Sequence, residues 1–177
     1  MQLQRRLLVW AGVAAASLLW LPLSTAADAG DRSAMMQRRG SGLPIPRFAS
    51  LKSDEVNVRT GPGTRYPVDW VFTRKGMPVE IVAEYENWRK IRDWQGASGW
   101  VYQGLLTGKR TFIIAGKPVS LHKTPAASAE IVAKLEPEVM GEIRSCAAGW
   151  CRVKVAGVSG WLQRAGIWGV YKSEPIN

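Results

Sequence analysis

The side chains of this protein that could do covalent or metal chemistry are few: two cysteines, Cys146 and Cys151, and a single histidine, His122. The cysteines flank Ala147-Ala148-Gly149-Trp150. Catalytic dithiols typically sit two residues apart at a helix N-terminus, which depresses the thiol pKa. Here four residues intervene and no helical pattern surrounds them. Two strands joined by that four-residue hairpin loop would instead bring the Cα atoms to about 4.5 Å, near the short end of disulfide geometry. The pair therefore reads as a structural disulfide, contributing about 2 kcal/mol for so short a closed loop. Two cysteines and one histidine leave a tetrahedral metal site incomplete, so neither a metal nor another cofactor is expected. No Ser-His or Cys-His dyad can be argued, and the carboxylates are scattered along strand faces. The composition points to a binder and not an enzyme.

Aromatic residues are the other functional material. Seven of the nine tryptophans lie beyond residue 29. Trp88, Trp100, Trp150 and Trp161 recur at matched places in two similar halves, and are read as fold residues that pack each half. Tyr66, Trp70, Tyr85 and Trp94 belong to the first half alone; their counterparts are Ala129, Val132 or Ala133, Ala147, and Val155 or Ala156. A fold made once without those aromatics does not need them for its core, so they are expected either to line a ligand groove or to fill the interface between the halves. Trp and Tyr suit a groove because they bury much area while keeping a hydrogen-bonding tip. The candidate ligand-binding residues are Asn57, Arg59, Tyr66, Trp70 and Trp94, with Arg59 placed either at the groove or as the brace of the adjacent Gly-Pro turn.

What must position these residues is a repeat. Val56-Asn57-Val58-Arg59-Thr60-Gly61-Pro62, Asn87-Trp88 and Ser98-Gly99-Trp100-Val101 return as Val119-Ser120-Leu121-His122-Lys123-Thr124-Pro125, Gly149-Trp150 and Ser159-Gly160-Trp161-Leu162, at offsets of 63, 62 and 61 residues. Such a drift is what small loop deletions produce in two copies of one domain. Each copy of about 60 residues is too small for an ordinary enzyme scaffold with its active-site loops. Short segments rich in Val, Ile and aromatics alternate with Gly, Pro, Asn and Ser; Cys151-Arg152-Val153-Lys154-Val155 has the period of two of a strand with one wet face. The expectation is an all-β chain of two tandem small β-barrels, over 48–109 and 110–172, packed together across a boundary near Leu106-Thr107-Gly108-Lys109. The alignment sets Glu84 and Arg89 at the places of Cys146 and Cys151. A cross-strand ion pair is predicted there, exposed and contributing well under ~1 kcal/mol.

The first residues set the compartment. Arg5 and Arg6 precede an apolar run of 15 residues, Leu7 to Leu21, with small-residue cleavage patterns ending at Ala26 and Ala29. That run is short of the roughly 18 apolar residues of a membrane span, so residues 1–29 read as a secretory signal peptide, cleaved after Ala26 or Ala29. A periplasmic or secreted protein with no integral membrane span after cleavage follows. Residues 30–47, rich in Gly, Ser, Pro, Arg and Met, read as a flexible basic leader. The net charge of +10 falls to +8 on cleavage after Ala26, or +9 if Asp28 also leaves. So basic a surface attracts polyanions generally. Export removes nucleic acid from the search space and leaves the carboxylates of peptidoglycan or the phosphates of the outer envelope.

The first copy resembles the bacterial SH3 domain family. The resemblance rests on Asn57-Val58-Arg59-Thr60-Gly61-Pro62 with Tyr66 after it, on Trp88-Arg89-Lys90-Ile91, and on the closing Gly99-Trp100-Val101. It covers 48–109 well and 111–171 more loosely, since Ser120, His122, Thr124 and Ala129 replace Asn57, Arg59, Gly61 and Tyr66. The resemblance implies SH3-like barrels and a binding module for cell-wall (peptidoglycan) peptides, with the first barrel gripping an extended peptide. The alternative is an envelope protein-protein adaptor that takes an extended or Pro-rich segment of a partner. The cysteines and His122 are not placed as in the cysteine peptidases that often accompany this family's domain.

Overall fold

The structure is a computed structural model that describes residues 40–177. The expected signal peptide and residues 30–39 of the leader lie outside the described residues. Thirteen strands follow one another: β1 (Arg47–Leu51), β2 (Val56–Arg59), β3 (Val68–Phe72), β4 (Pro78–Tyr85), β5 (Trp88–Arg92), β6 (Ser98–Tyr102), β7 (Leu106–Thr107), β8 (Thr111–Ile113), β9 (Val119–His122), β10 (Ile131–Leu135), β11 (Met140–Ala147), β12 (Trp150–Val155) and β13 (Val158–Gln163). The helical content of the described residues is two 3₁₀ turns of three residues, Gln103–Leu105 and Arg164–Gly166. The chain is all-β.

The repeat in sequence is a repeat in topology. The first sheet has the order β3-β2-β6-β5-β4-β1-β7 and the second β10-β9-β13-β12-β11-β8, which is the same path with each strand replaced by its counterpart. Where β7 pairs with β1, Trp168 bridges Ile113. A register shift between Ile81 and Ala83 in β4 recurs between Ile143 and Ser145 in β11. The expected barrels differ in one respect: neither ladder closes, so β3 and β10 are edges. With only two residues, β7 offers too short an edge to accept a strand of five.

Period-two alternation builds one core per sheet. Val56, Val58, Val79, Ile91 and Val101 meet in the first, and Leu121, Ile143, Val153 and Leu162 in the second. Gly99 and Gly160, the glycines of the repeated Ser-Gly-Trp, are sites of close approach: a Cβ would stand 2.4 Å from Val58 Cγ1 in one and 2.7 Å from Leu121 Cγ in the other. No larger residue fits without moving β2 or β9.

The hairpin tips correct the predicted loop length. Ala147 pairs with Trp150, so the turn between the cysteines is Ala148-Gly149, two residues and not four. Both have left-handed backbone, at φ 48° and 81°, as the tight turns that match strand twist require. Cys146 and Cys151 face one another with Cα atoms 4.1 Å apart and form the disulfide. In the same register of the first sheet, Glu84 faces Arg89, Oε1 to Nε 3.0 Å. The ion pair is where it was expected, but its exposure was misjudged, since Glu84 is 3% and Arg89 5% exposed. The cause is residues 40–47, the end of the segment expected to be a flexible leader, which lie against β4. Ser41 donates through its backbone N–H and its hydroxyl to Glu84, and Arg47 adds a second guanidinium. The C-terminal tail does the same to the second sheet, where the Cys146 N–H donates to the Ile176 carbonyl at 2.8 Å.

The two sheets share a junction. The Phe48 ring meets Trp168 edge-on at 4.9 Å and Tyr171 at 4.7 Å, while the Arg110 guanidinium stands 5.7 Å from it. The Tyr171 hydroxyl donates to Glu80 Oε1 at 2.8 Å, and Arg92 donates to the other oxygen of the same carboxylate. Ile113, from the second copy, is buried in the core of the first. Of the two roles open to the first-copy aromatics, filling the junction falls instead to Phe48, Trp168 and Tyr171.

Candidate functional site

In β2, Val56 and Val58 point into the core, so Asn57 and Arg59 share the opposite face. In β6 the core side belongs to Gly99 and Val101, which turns Trp100 and Tyr102 outward with them. The register aligns Arg59 with Trp100 and Trp100 with Lys90, one row across three strands. Trp88 faces Tyr102 in the adjacent row, their rings edge-to-face at 5.9 Å, and Tyr85 faces Trp88 from β4. Tyr102 is 44% exposed, whereas Trp100 is buried in the middle of the row.

The turn between β2 and β3 stands beside this face. The Arg65 guanidinium lies 5.1 Å from the Tyr66 ring centre. Its pKa is raised above the ordinary arginine value, first by its hydrogen bond to the Tyr66 hydroxyl. The outer face of the first sheet therefore combines Asn57, Lys90 and Arg65 with Tyr66, Tyr85, Trp88, Trp100 and Tyr102. On the second sheet the matching positions hold Ser120, Arg152 and Ser128 with Trp150, Trp161 and Gln163, and the tyrosines are gone.

Arg59 has a definite task. Its Nη1 donates to the Tyr66 carbonyl at 2.7 Å and to the Thr64 carbonyl at 3.3 Å, so it braces the Gly-Pro turn. Its counterpart His122 does the same with one bond, Nδ1 to the Ala129 carbonyl at 3.1 Å, and stands edge-on to Trp150 at 5.3 Å. A carbonyl only accepts, so Nδ1 carries a proton and donates it. The histidine is thus engaged in shaping a turn.

Trp70 and Trp94 require a correction. Both pack against the core of the first sheet, not on the face that carries Asn57 and Arg59. Trp70 stands opposite Val58, and its Cη2 lies 3.2 Å from where a Cβ on Gly99 would be. In the second copy Leu121 stands opposite Ala133 and covers Gly160 by itself. A small residue with a tryptophan fills one core and a larger residue with an alanine fills the other. The four repeated tryptophans, read from the sequence as core, lie outside both core clusters. Trp100 is nevertheless buried, on the opposite face of the sheet, while Trp70 and Trp94, expected at a groove or an interface, pack the core. Comparing the size of each residue together with its cross-strand partner is the signal that would have found it.

Among the described residues, no group of three or more His, Cys, Asp and Glu could hold a metal ion. Within the same residues, no helix is long and apolar enough to cross a membrane.

Comparison with known proteins gives three kinds of likeness. A Bacillus subtilis (strain 168) protein named "Putative N-acetylmuramoyl-L-alanine amidase YrvJ" is 26% identical over 125 residues, which are 64% of this chain and 24% of that protein. This chain thus spans about a quarter of that relative's length. Among solved structures, NlpC2 from Trichomonas vaginalis is similar over 75% of this chain and 51% of its own, at 12% identity and a TM-score of 0.34. An NlpC/P60 family protein from Bacillus cereus ATCC 10987 is similar over 68% and 55%, at 14% identity and a TM-score of 0.32. The sequence profile of the bacterial SH3 domain matches twice, at residues 52–108 and 115–169, together more than half of the chain. These two matches fall on the two copies whose strand order is the same, and this chain belongs to the bacterial SH3 domain family.

Proposed function

We propose that this protein is a non-catalytic binding module of the bacterial envelope, and that the outer face of its first SH3-like copy holds an extended peptide of the cell wall. One observation carries the reading: Arg59, Trp100 and Lys90 form a row across three strands, flanked by tyrosines that the second copy lacks. An extended peptide lies along such aromatic ground, and rigid Trp and Tyr rings hold it with little ordering cost. Peptidoglycan stem peptides carry free carboxylates, for which Lys90 and Arg65 are the available cations. Arg59, occupied by two carbonyls, positions the turn that presents Tyr66. The wall-amidase name of the Bacillus relative is consistent with a wall ligand. Binding without catalysis is the reading because the two cysteines and the histidine are tied into a disulfide and a turn.

Co-sedimentation of the purified protein with peptidoglycan sacculi across a salt series tests this. Binding should persist well above physiological ionic strength, where attraction between exposed charges is screened. Lys90→Gln combined with Tyr102→Ala should weaken it strongly, while Arg152→Gln with Gln163→Ala, the matched positions of the second copy, should leave it near wild type. Binding that disappears with modest salt, or a first-copy variant that still binds fully, sinks the assignment. A stoichiometric protein partner without affinity for sacculi would then favour the adaptor.

A further inference from the structure

At the junction of the two copies lies a cleft of about 620 Å³ lined by both. That is within the range of small-ligand pockets, ~300–1,000 Å³. Its floor is apolar and rigid. Leu51 is 1% exposed, Met140 reaches in from the second sheet, and the Ser50 and Thr111 hydroxyls are 2.6 Å apart. Both hydroxyls also have backbone acceptors, Ser50 on the Lys109 carbonyl and Thr111 on the Gly76 carbonyl, each at 2.7 Å, so the floor is already built.

The rim is cationic. Lys52 follows β1, Lys75 sits in the β3–β4 turn, and Lys109 belongs to the connection between copies; all three line the cleft. Among the described residues none of these ammonium groups is in an ion pair. Glu142, the one carboxylate that lines the cleft, faces Arg144 at 2.6 Å. Asp54, nearby, accepts the Lys75 backbone N–H at 3.3 Å. Three lysines from three segments thus line one concavity whose only acid is already matched. An anion that enters it is attracted to all three.

We propose that this cleft is a second binding site, for a short acidic peptide whose aliphatic body covers Leu51 and Met140 while its carboxylates meet Lys52, Lys75 and Lys109. Lysines are point charges on flexible stems, suited to carboxylates spaced along a chain, where an arginine fork would demand one fixed planar partner. No aromatic ring lines the cleft, so nucleic acid bases would find no stacking platform. The site is independent of the outer face of the first sheet, and either can fail without the other.

Fluorescence anisotropy with a dye-labelled Glu-Leu-Ala-Glu peptide, and with its Gln-Leu-Ala-Gln analogue, tests the proposal on the purified protein. The acidic peptide should bind and the neutral one should not. Lys75→Gln with Lys109→Gln should weaken the acidic peptide roughly tenfold. Lys134→Gln with Lys172→Gln, exposed lysines that do not line the cleft, should change it by less than about twofold. Equal weakening by the two pairs would make the attraction generic and overturn the site. Equal binding of the neutral peptide, no binding of either, or displacement by inorganic phosphate at concentrations where acetate does nothing would overturn it as well.

Discussion

At the scale of single residues, the two copies differ by paired changes that keep local volume constant. Gly61 has the Tyr66 ring upon it, so that a Cβ there would be 2.4 Å from Cδ1. The second copy carries Thr124 and Ala129 instead, a larger turn residue and no ring. Gly61→Ala should therefore cost about 2 kcal/mol by overpacking, and Tyr66→Ala in the same chain should return most of it. Denaturant unfolding of the four variants checks this as a double-mutant cycle, with a coupling of at least ~1 kcal/mol expected. Trp70→Ala should cost about 3 kcal/mol through the cavity it leaves against Val58, with a lowered midpoint but unchanged binding to sacculi while folded. Such pairs mark the limit of reading one residue at a time. That Asn57 and Arg59 share one face follows from alternation along β2 alone. Whether Trp70 faces in or out depends on the residue across the ladder, and neither position alone carries that information.

At the scale of elements, one structural place is held together in two ways. Across β4–β5 the clamp is Glu84 between Arg89, Arg47 and Ser41, and across β11–β12 it is the disulfide. Burial pushes the Glu84 carboxyl up, but its bonds from Arg47 and Ser41 outweigh that and hold it below its ordinary value of 4.5. The carboxylate thus stabilises the fold fully above that value, and the contribution fades as pH falls through the lower folded-state pKa. Glu174, drawn down by Arg110 against its own burial, adds in the same direction. The thermal midpoint should drop as pH falls below about 4.5, and Glu84→Gln should flatten that slope. Glu84→Ala leaves Arg89 buried without its partner and should cost about 3 kcal/mol at neutral pH, measured by denaturant unfolding. Reduction should act on the other copy, by about 2 kcal/mol. The equivalence of the two clamps was legible from the alignment; the burial of the first was not, because the segment that covers it has no periodicity of its own.

For the whole molecule, the junction decides whether two copies behave as one body. Phe48 is wedged against Trp168 and Tyr171, and Ile113 crosses into the opposite core. Burial, then the neighbouring Glu80 carboxylate, pushes the Tyr171 phenol well above its ordinary range, so it remains a donor at any working pH. A single calorimetric transition is expected for the intact protein, and Phe48→Ala should split it into two. A wild-type trace with two transitions would mean that the junction couples the copies weakly. The number of copies and their common architecture could be read directly from offsets of 63, 62 and 61 residues. The open edges at β3 and β10 could not, since strand closure depends on lengths that the motifs do not specify.

The unequal clamps also date the molecule. Charges at Glu84 and Arg89 meet as soon as their hairpin forms, but Cys146 and Cys151 need an oxidant to join. The clamp of the first copy therefore closes without an oxidant, and that of the second closes only where one is present. Until then the tail at Ile176, which is bonded to the Cys146 backbone, lies over an untied hairpin, where local opening exposes it to proteases more readily. Resistance of that tail to cleavage would then be a record of whether the disulfide has formed.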